Sequence, residues 1–269
     1  MPLPLYVVDA FTRSPFAGNP AAVVVLPADH VADPAWMQAV AKEMRHSETA
    51  FVQSMDPDRP VFALRWFTPG AEVQLCGHAT LATSHALWTT GHAALDDPLH
   101  FETLSGRLTC VRAPSGAIRM DFPVTIPEPT RLPDGLLEAM GLQSVVSGWR
   151  SRFDYLLELP DRAAVEAVAP DFRALDALAA RGVMVTARDD GDGDFVSRFF
   201  APGVGVDEDP VTGSAHCALT PFWVDRLGSK TLRARQLSER GGELTVELHG
   251  DRVVLEGYAV TVTAGELLA

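Results

Sequence analysis

The sequence predicts a mixed α/β protein made of two similar halves, each setting several strands around one enclosed helix. Three observations predict it. The phrase RWFTPG at 65–70 returns as RFFAPG at 198–203. Behind each phrase comes a largely apolar run that opens on glycine, GHATLATSHALWTTG from Gly77 and GSAHCALTPFWVDRLG from Gly213. Further on, TLSGRLTCV at 103–111 is answered by QLSERGGELTV at 236–246. Matched residues stay 133 apart (Arg65 to Arg198) to 136 apart (Gly77 to Gly213), about half of the 269-residue chain. A collinear series at a nearly fixed offset is the signature of an internal duplication.

Taken in order, the chain enters a strand-like run at once in LPLYVVDAF, and HSETAFV at 46–52 leads into another. The runs from Gly77 and Gly213 stay uncharged for about three turns and stop at Gly91 and Gly228, which read as helix ends. A helix apolar on every side has to be surrounded by protein. The stretches AIRMDF and RVVLEG alternate as strands do. The joint is expected in the proline-rich FPVTIPEPTRLPDG at 122–135. The expected domains are therefore 1–122, joined by the C-terminal end at about 257–269, and 123–256.

Composition limits the function. A formal net charge of -13 speaks against a nucleic-acid partner, which needs clustered Lys and Arg. It leaves room for a small anion, because a helix N-terminus holds a carboxylate even in an acidic protein. Cys76, Cys110 and Cys217 are odd in number and widely spaced, so neither a disulfide framework nor a zinc ribbon is expected. A cytoplasmic setting without a signal peptide fits the start of the chain. The uncharged run 73–95 is long enough for a membrane, but its Gln74, three histidines and threonines favour a buried helix with its flanks.

Two related halves generally meet along a cleft, and the two enclosed helices are expected to aim Gly77-His78 and Gly213-Ser214 into it. Glu48, before an apolar strand, His78, at the first helix start, and Asp209, ahead of the second, are the ionisable candidates. The position echoing Glu48 is read as Val185, so the acid is not a repeated structural feature. Singly, each has a plainer reading. Glu48 suits a solvated strand end, His78 a satisfied helix-start histidine, and Asp207, Glu208 and Asp209 suit partners of a helix dipole. Convergence in one cleft is what raises them to chemistry. Cys76 and His78 supply two metal donors without a second pair, and no Gly-x-Gly-x-x-Gly, P-loop or Gly-x-Ser-x-Gly is present. Acid–base chemistry with neither cofactor nor metal is the simplest expectation.

Four motifs in order, VDAFTRSPFAGNPAAVV, SETAFV, LRWFTPGAEVQLCGHATLA and DEDPVTGSAH, resemble the markers of the phenazine-biosynthesis PhzF-like isomerases and, more distantly, diaminopimelate epimerase. The resemblance runs from Val8 to His216. It implies two pseudo-symmetric α/β domains, each a barrel-like mixed sheet around a central helix, with the site between them, and a homodimer. The best-understood member isomerises trans-2,3-dihydro-3-hydroxyanthranilate without a cofactor. Carried over by motif, the catalytic residues are Glu48, His78 and Asp209. The substrate-binding set is Asn19, Ser47, Cys76, Gly77, Gly213 and Ser214. Cys76 stands where the epimerase carries one of its two catalytic cysteines, while the second-half counterpart is read as Asp209 or Pro210. The expected activity is proton transfer on a small carboxylate-bearing substrate. The alternatives are a racemase or epimerase working through Cys76 and a small-molecule-binding protein without turnover.

Overall fold

A computed structural model describes residues 2–31, 33–178 and 180–268. The chain divides into two compact units, Met1–Phe122 with Leu255–Ala269, and Pro123–Val254.

In chain order the first unit contains β1 (Leu3–Ala10), β2 (Asn19–Leu26), α1 (Pro34–Met44), β3 (Glu48–Ser54), β4 (Val61–Phe67), the short β5 (Glu72–Val73), α2 (Gly77–Thr89), β6 (Leu99–Thr103), β7 (Gly106–Arg112) and β8 (Ile118–Pro123). The second contains the short β9 (Glu128–Pro129), α3 (Leu136–Ala139), β10 (Ser147–Arg150), β11 (Asp154–Glu158), α4 (Arg162–Glu166), α5 (Phe172–Asp176), β12 (Gly182–Arg188), β13 (Phe195–Ala201), β14 (Val206–Asp209), α6 (Gly213–Leu227), β15 (Thr231–Gln236), β16 (Gly242–His249) and the first half of β17 (Arg252–Gly257). The last strand, β18 (Ala259–Leu267), belongs to the first unit.

The two units repeat one pairing scheme. β1–β2 is antiparallel, β2–β3 parallel, β3–β4 antiparallel, β4–β6 parallel and β6–β7 antiparallel. β10–β11, β11–β12, β12–β13, β13–β15 and β15–β16 follow the same sequence of directions. Each parallel step needs a crossover. In the first unit α1 supplies one, started by Asp33, whose carboxylate accepts the Ala35 amide, and by Pro34 in the first turn. Its Met37, Val40 and Ala41 pack on Leu3, Val24, Leu26, Phe51 and Phe67. In the second unit α4 and α5 cover Leu157, Val183, Val185 and Phe200 with Val165 and Leu175.

The other side of each sheet faces the enclosed helix. α2 packs on β1, β2, β3 and β18, and α6 on β15 and β16. Strands covered on both sides read as continuous apolar runs, as in AAVVVL of β2 and VMVTA of β12. Polar residues survive inside α2 because Thr80, Thr83 and Ser84 donate to carbonyls four residues back, Cys76, Ala79 and Thr80. Pro221 sits inside α6 and withholds the amide that would bond Cys217. That carbonyl instead accepts the Thr125 amide at 3.1 Å, which ties down the chain just past Phe122. No helix among the described residues is long and apolar enough to cross a membrane.

Candidate active site

β2 and β3 run parallel with Ala21 opposite Glu48, so Asn19, Ser47 and Glu48 gather at one end of the first sheet. Gly18, held at φ 67°, places Asn19 there; a Cβ on it would lie 2.1 Å from the Ala10 carbonyl oxygen. α2 begins at the same cluster, with Cys76 as N-cap and Gly77 and His78 as its first residues.

His78 is the hub. Its Nε2 lies 3.3 Å from Glu48 Oε2 and 3.3 Å from Ser47 Oγ, and its Nδ1 lies 3.5 Å from Cys76 Sγ. The Ser47 hydroxyl donates to Asn19 Oδ1 at 3.2 Å. With its one proton committed there, Ser47 accepts from His78 Nε2–H, which leaves Nδ1 bare to accept the thiol proton. Burial pushes the His78 pKa down to about 3, helped by the nearby charge of His46. The imidazole is therefore neutral at physiological pH. The dominant cause is desolvation.

Neither enclosed helix uses its N-cap side chain as a cap. Cys76 turns its sulfur to His78, and Thr212, the N-cap of α6, gives its hydroxyl to Asp209 Oδ2 at 2.6 Å. An N-cap hydroxyl ordinarily accepts a first-turn amide. Here both helix starts, including the predicted Gly77 and Gly213, keep amides without a side-chain cap.

Asp209 stands in the second unit, in a frame that motif reading missed. Gln236, 1% exposed, accepts the Thr212 amide at 2.9 Å and donates to the Asp209 carbonyl at 2.6 Å and to Thr212 Oγ1 at 3.2 Å. The Leu-Ser echo did mark this place, since Gln236 opens it. Of the acidic trio ahead of the helix, Glu208 is held by the Arg198 fork at 2.7 and 3.0 Å. Ser214 accepts from Arg181 at 3.1 Å, and Arg181 also pairs with Asp154, whose pKa burial raises against the pull of Arg181.

Ladder register corrects two matches between the halves. Phe51 faces Arg65 as Val185 faces Arg198, so Val185 echoes Phe51, and Glu48 is matched by Gly182. A Cβ at Gly182 would lie 2.5 Å from Phe199, so no side chain fits there. The counterpart of Cys76 is Thr212, the other N-cap, rather than Asp209 or Pro210. Asp209, opposite Phe199, is matched by Val73, opposite Trp66. Each half thus carries one acid that the other lacks. Motif spacing gave two metal donors, and folding adds a third: Glu48, Cys76 and His78 each bring a donor atom within 4.8 Å of the other two.

A mixed sheet with an enclosed helix, built twice, and an acid–imidazole–thiol group at one helix start define an epimerase-like α+β architecture. The family model for phenazine biosynthesis-like proteins, PhzC-PhzF, matches residues 8–265, and the chain belongs to this family. It is 47% identical over 270 residues to an uncharacterized isomerase of Halalkalibacterium halodurans, covering 100% of this chain and 99% of that one. A PhzF-family phenazine biosynthesis protein from Enterococcus faecalis superposes with a TM-score of 0.92 at 42% identity, covering 100% of both chains. A predicted epimerase of Pseudomonas aeruginosa reaches 0.77 at 26% identity over 99% of each. The fold is that of diaminopimelate epimerase and PhzF, and the named relatives support an isomerase.

Proposed function

We propose that the chain is a cofactor-independent isomerase that moves a proton on a small carboxylate-bearing compound of the dihydro-hydroxyanthranilate type. Glu48 takes the proton from a carbon next to an activating group and returns it elsewhere on the same molecule. The observation that carries this reading is Glu48 Oε2 at 3.3 Å from a neutral, buried His78, beside a helix start without a side-chain cap. Neutral imidazole stabilises developing negative charge by hydrogen bonding without itself becoming a strong acid. First-turn amides of α2, beside Glu48, suit the substrate carboxylate. Asp209, kept oriented by its bond from Thr212, suits a role in holding an amine or hydroxyl.

The test is hydrogen–deuterium exchange at carbon in D₂O across a panel of cyclic and amino acids. Glu48→Gln is expected to lower exchange by roughly 10²–10⁴-fold while binding persists. Exchange at the wild-type rate in that variant rejects the assignment.

One observation favours a second reading. Cys76 Sγ lies 3.5 Å from His78 Nδ1, on the same imidazole that Glu48 approaches, which suits an amino-acid racemase or epimerase that moves its proton through the thiol. Inversion of a stereocentre, lost on alkylating Cys76, would establish it. Isomerisation without inversion would reject it.

A further inference from the structure

Glu48, Cys76 and His78 arrive from two elements. Glu48 opens β3, and the other two sit at the start of α2. The sulfur lies near Nδ1 and the carboxylate near Nε2. If they stood on the outward axes of those two nitrogens they would be held far apart by the ring. Instead one donor atom from each residue lies within 4.8 Å of the others, which brings all three near a common point. We propose that this point is a binding site for a divalent cation of the zinc type, held by one thiolate, one imidazole nitrogen and one carboxylate oxygen.

The donor set selects the metal. Magnesium and calcium need several oxygen ligands, and only one carboxylate is present in the group. Thiolate and imidazole together favour zinc and its tetrahedral analogues cobalt(II) and cadmium. Three protein donors leave a fourth position for water or a ligand. The Ser47–Asn19 pair holds the imidazole from outside the donor set, as the outer partners of metal-binding histidines do. Coordination replaces a proton: the thiol S–H bond breaks, the proton leaves to solvent, and the sulfur lone pair binds the cation. The carboxylate of Glu48 is then engaged, so the cation blocks proton transfer.

Chelator-stripped full-length protein titrated with cobalt(II) tests the site in the wild type. The expected result is one cobalt per chain with a thiolate-to-metal absorption band and intense tetrahedral d–d bands, displaced by zinc. Cys76→Ser is expected to remove the thiolate band. His78→Ala is expected to weaken binding by at least about 100-fold, the upper end of what losing a ligand's outer hydrogen-bond partner costs. Cys110→Ser and Cys217→Ser are expected to keep the wild-type spectrum. A wild-type spectrum without a thiolate band, or a band that survives Cys76→Ser, overturns the proposal. The outcome is separable from the proposed reaction. The titration reads the resting protein, whereas the exchange assay reads Glu48 in metal-free solution.

Discussion

His78 and His216 are both wholly buried histidines in the first turn of an enclosed helix, and both are held neutral. Burial pushes His78 to about 3 and His216 to about 4, the latter opposed by its bond to the Thr212 carbonyl. Unfolded histidine titrates near about 6.5. Below that pH the unfolded chain takes up protons that the native chain refuses, so stability is complete above about 6.5 and falls as pH drops toward the folded values. The combined loss is on the order of a few kcal/mol. Urea unfolding at about pH 7.5 and about pH 5 is expected to show it, and His78→Gln is expected to flatten the slope. Equal stability at both pH values in the wild type refutes it. At this scale the sequence was partly legible. Glu48 and His78 carried their own chemistry, but nothing in the linear text placed the Cys76 sulfur and the Glu48 carboxylate around one imidazole. Thr212 and Gln236 were invisible for another reason: a threonine and a glutamine announce no chemistry until folding points them at Asp209.

The repeated phrases make sense at the scale of the element. Arg65 forks onto Glu72 at 2.7 and 2.8 Å, and Arg198 onto Glu208 at 2.7 and 3.0 Å, so each arginine ties its long strand to the short one leading into an enclosed helix. Ser105 donates to the Gln74 carbonyl and Ser238 to the Pro210 carbonyl, each two residues before an N-cap. The echoes at Arg and at Leu-Ser are thus the residues that aim the two helix starts. They were readable because the duplication kept them. The sites were harder to read because there the halves diverged, Glu48 against Gly182 and Asp209 against Val73. The two arginines do not carry equal loads. Arg198 is 13% exposed and also donates to the carbonyls of Val165, Glu166 and Val168 at the end of α4, whereas Arg65 is 31% exposed. Arg198→Leu is therefore expected to cost about 3–5 kcal/mol, the range for breaking a buried pair. Arg65→Leu should cost about 1 kcal/mol, as for a more solvated pair. Denaturant midpoints measured for both variants decide it, and equal losses would remove the distinction.

Across the whole chain the duplication has a crossed ending. The segment after β8 forms β9, which pairs antiparallel with β10, the first long strand of the second unit. The segment after β17 forms β18, which pairs antiparallel with β1, the first strand of the first unit. Each half sends its trailing strand to the same place in the other, but over different lengths. β9 contributes a two-residue ladder, whereas β18 runs along β1 from Leu3 opposite Leu267 to Ala10 opposite Ala259. With a net value of about 0.5–1.5 kcal/mol per hydrogen bond, losing the longer ladder removes a large share of a total of about 5–15 kcal/mol. It also uncovers the edge of β1, beside which Asn19 begins β2. Truncation after Gly257 is accordingly expected to strip hydrogen-exchange protection from β1 and β2 and to abolish the exchange reaction at carbon. β12 and β13 should remain protected, because their partners all lie in the second unit. Uniform loss of protection across both units would instead make the chain one cooperative block, and retained protection in β1 would show that β18 is dispensable to it.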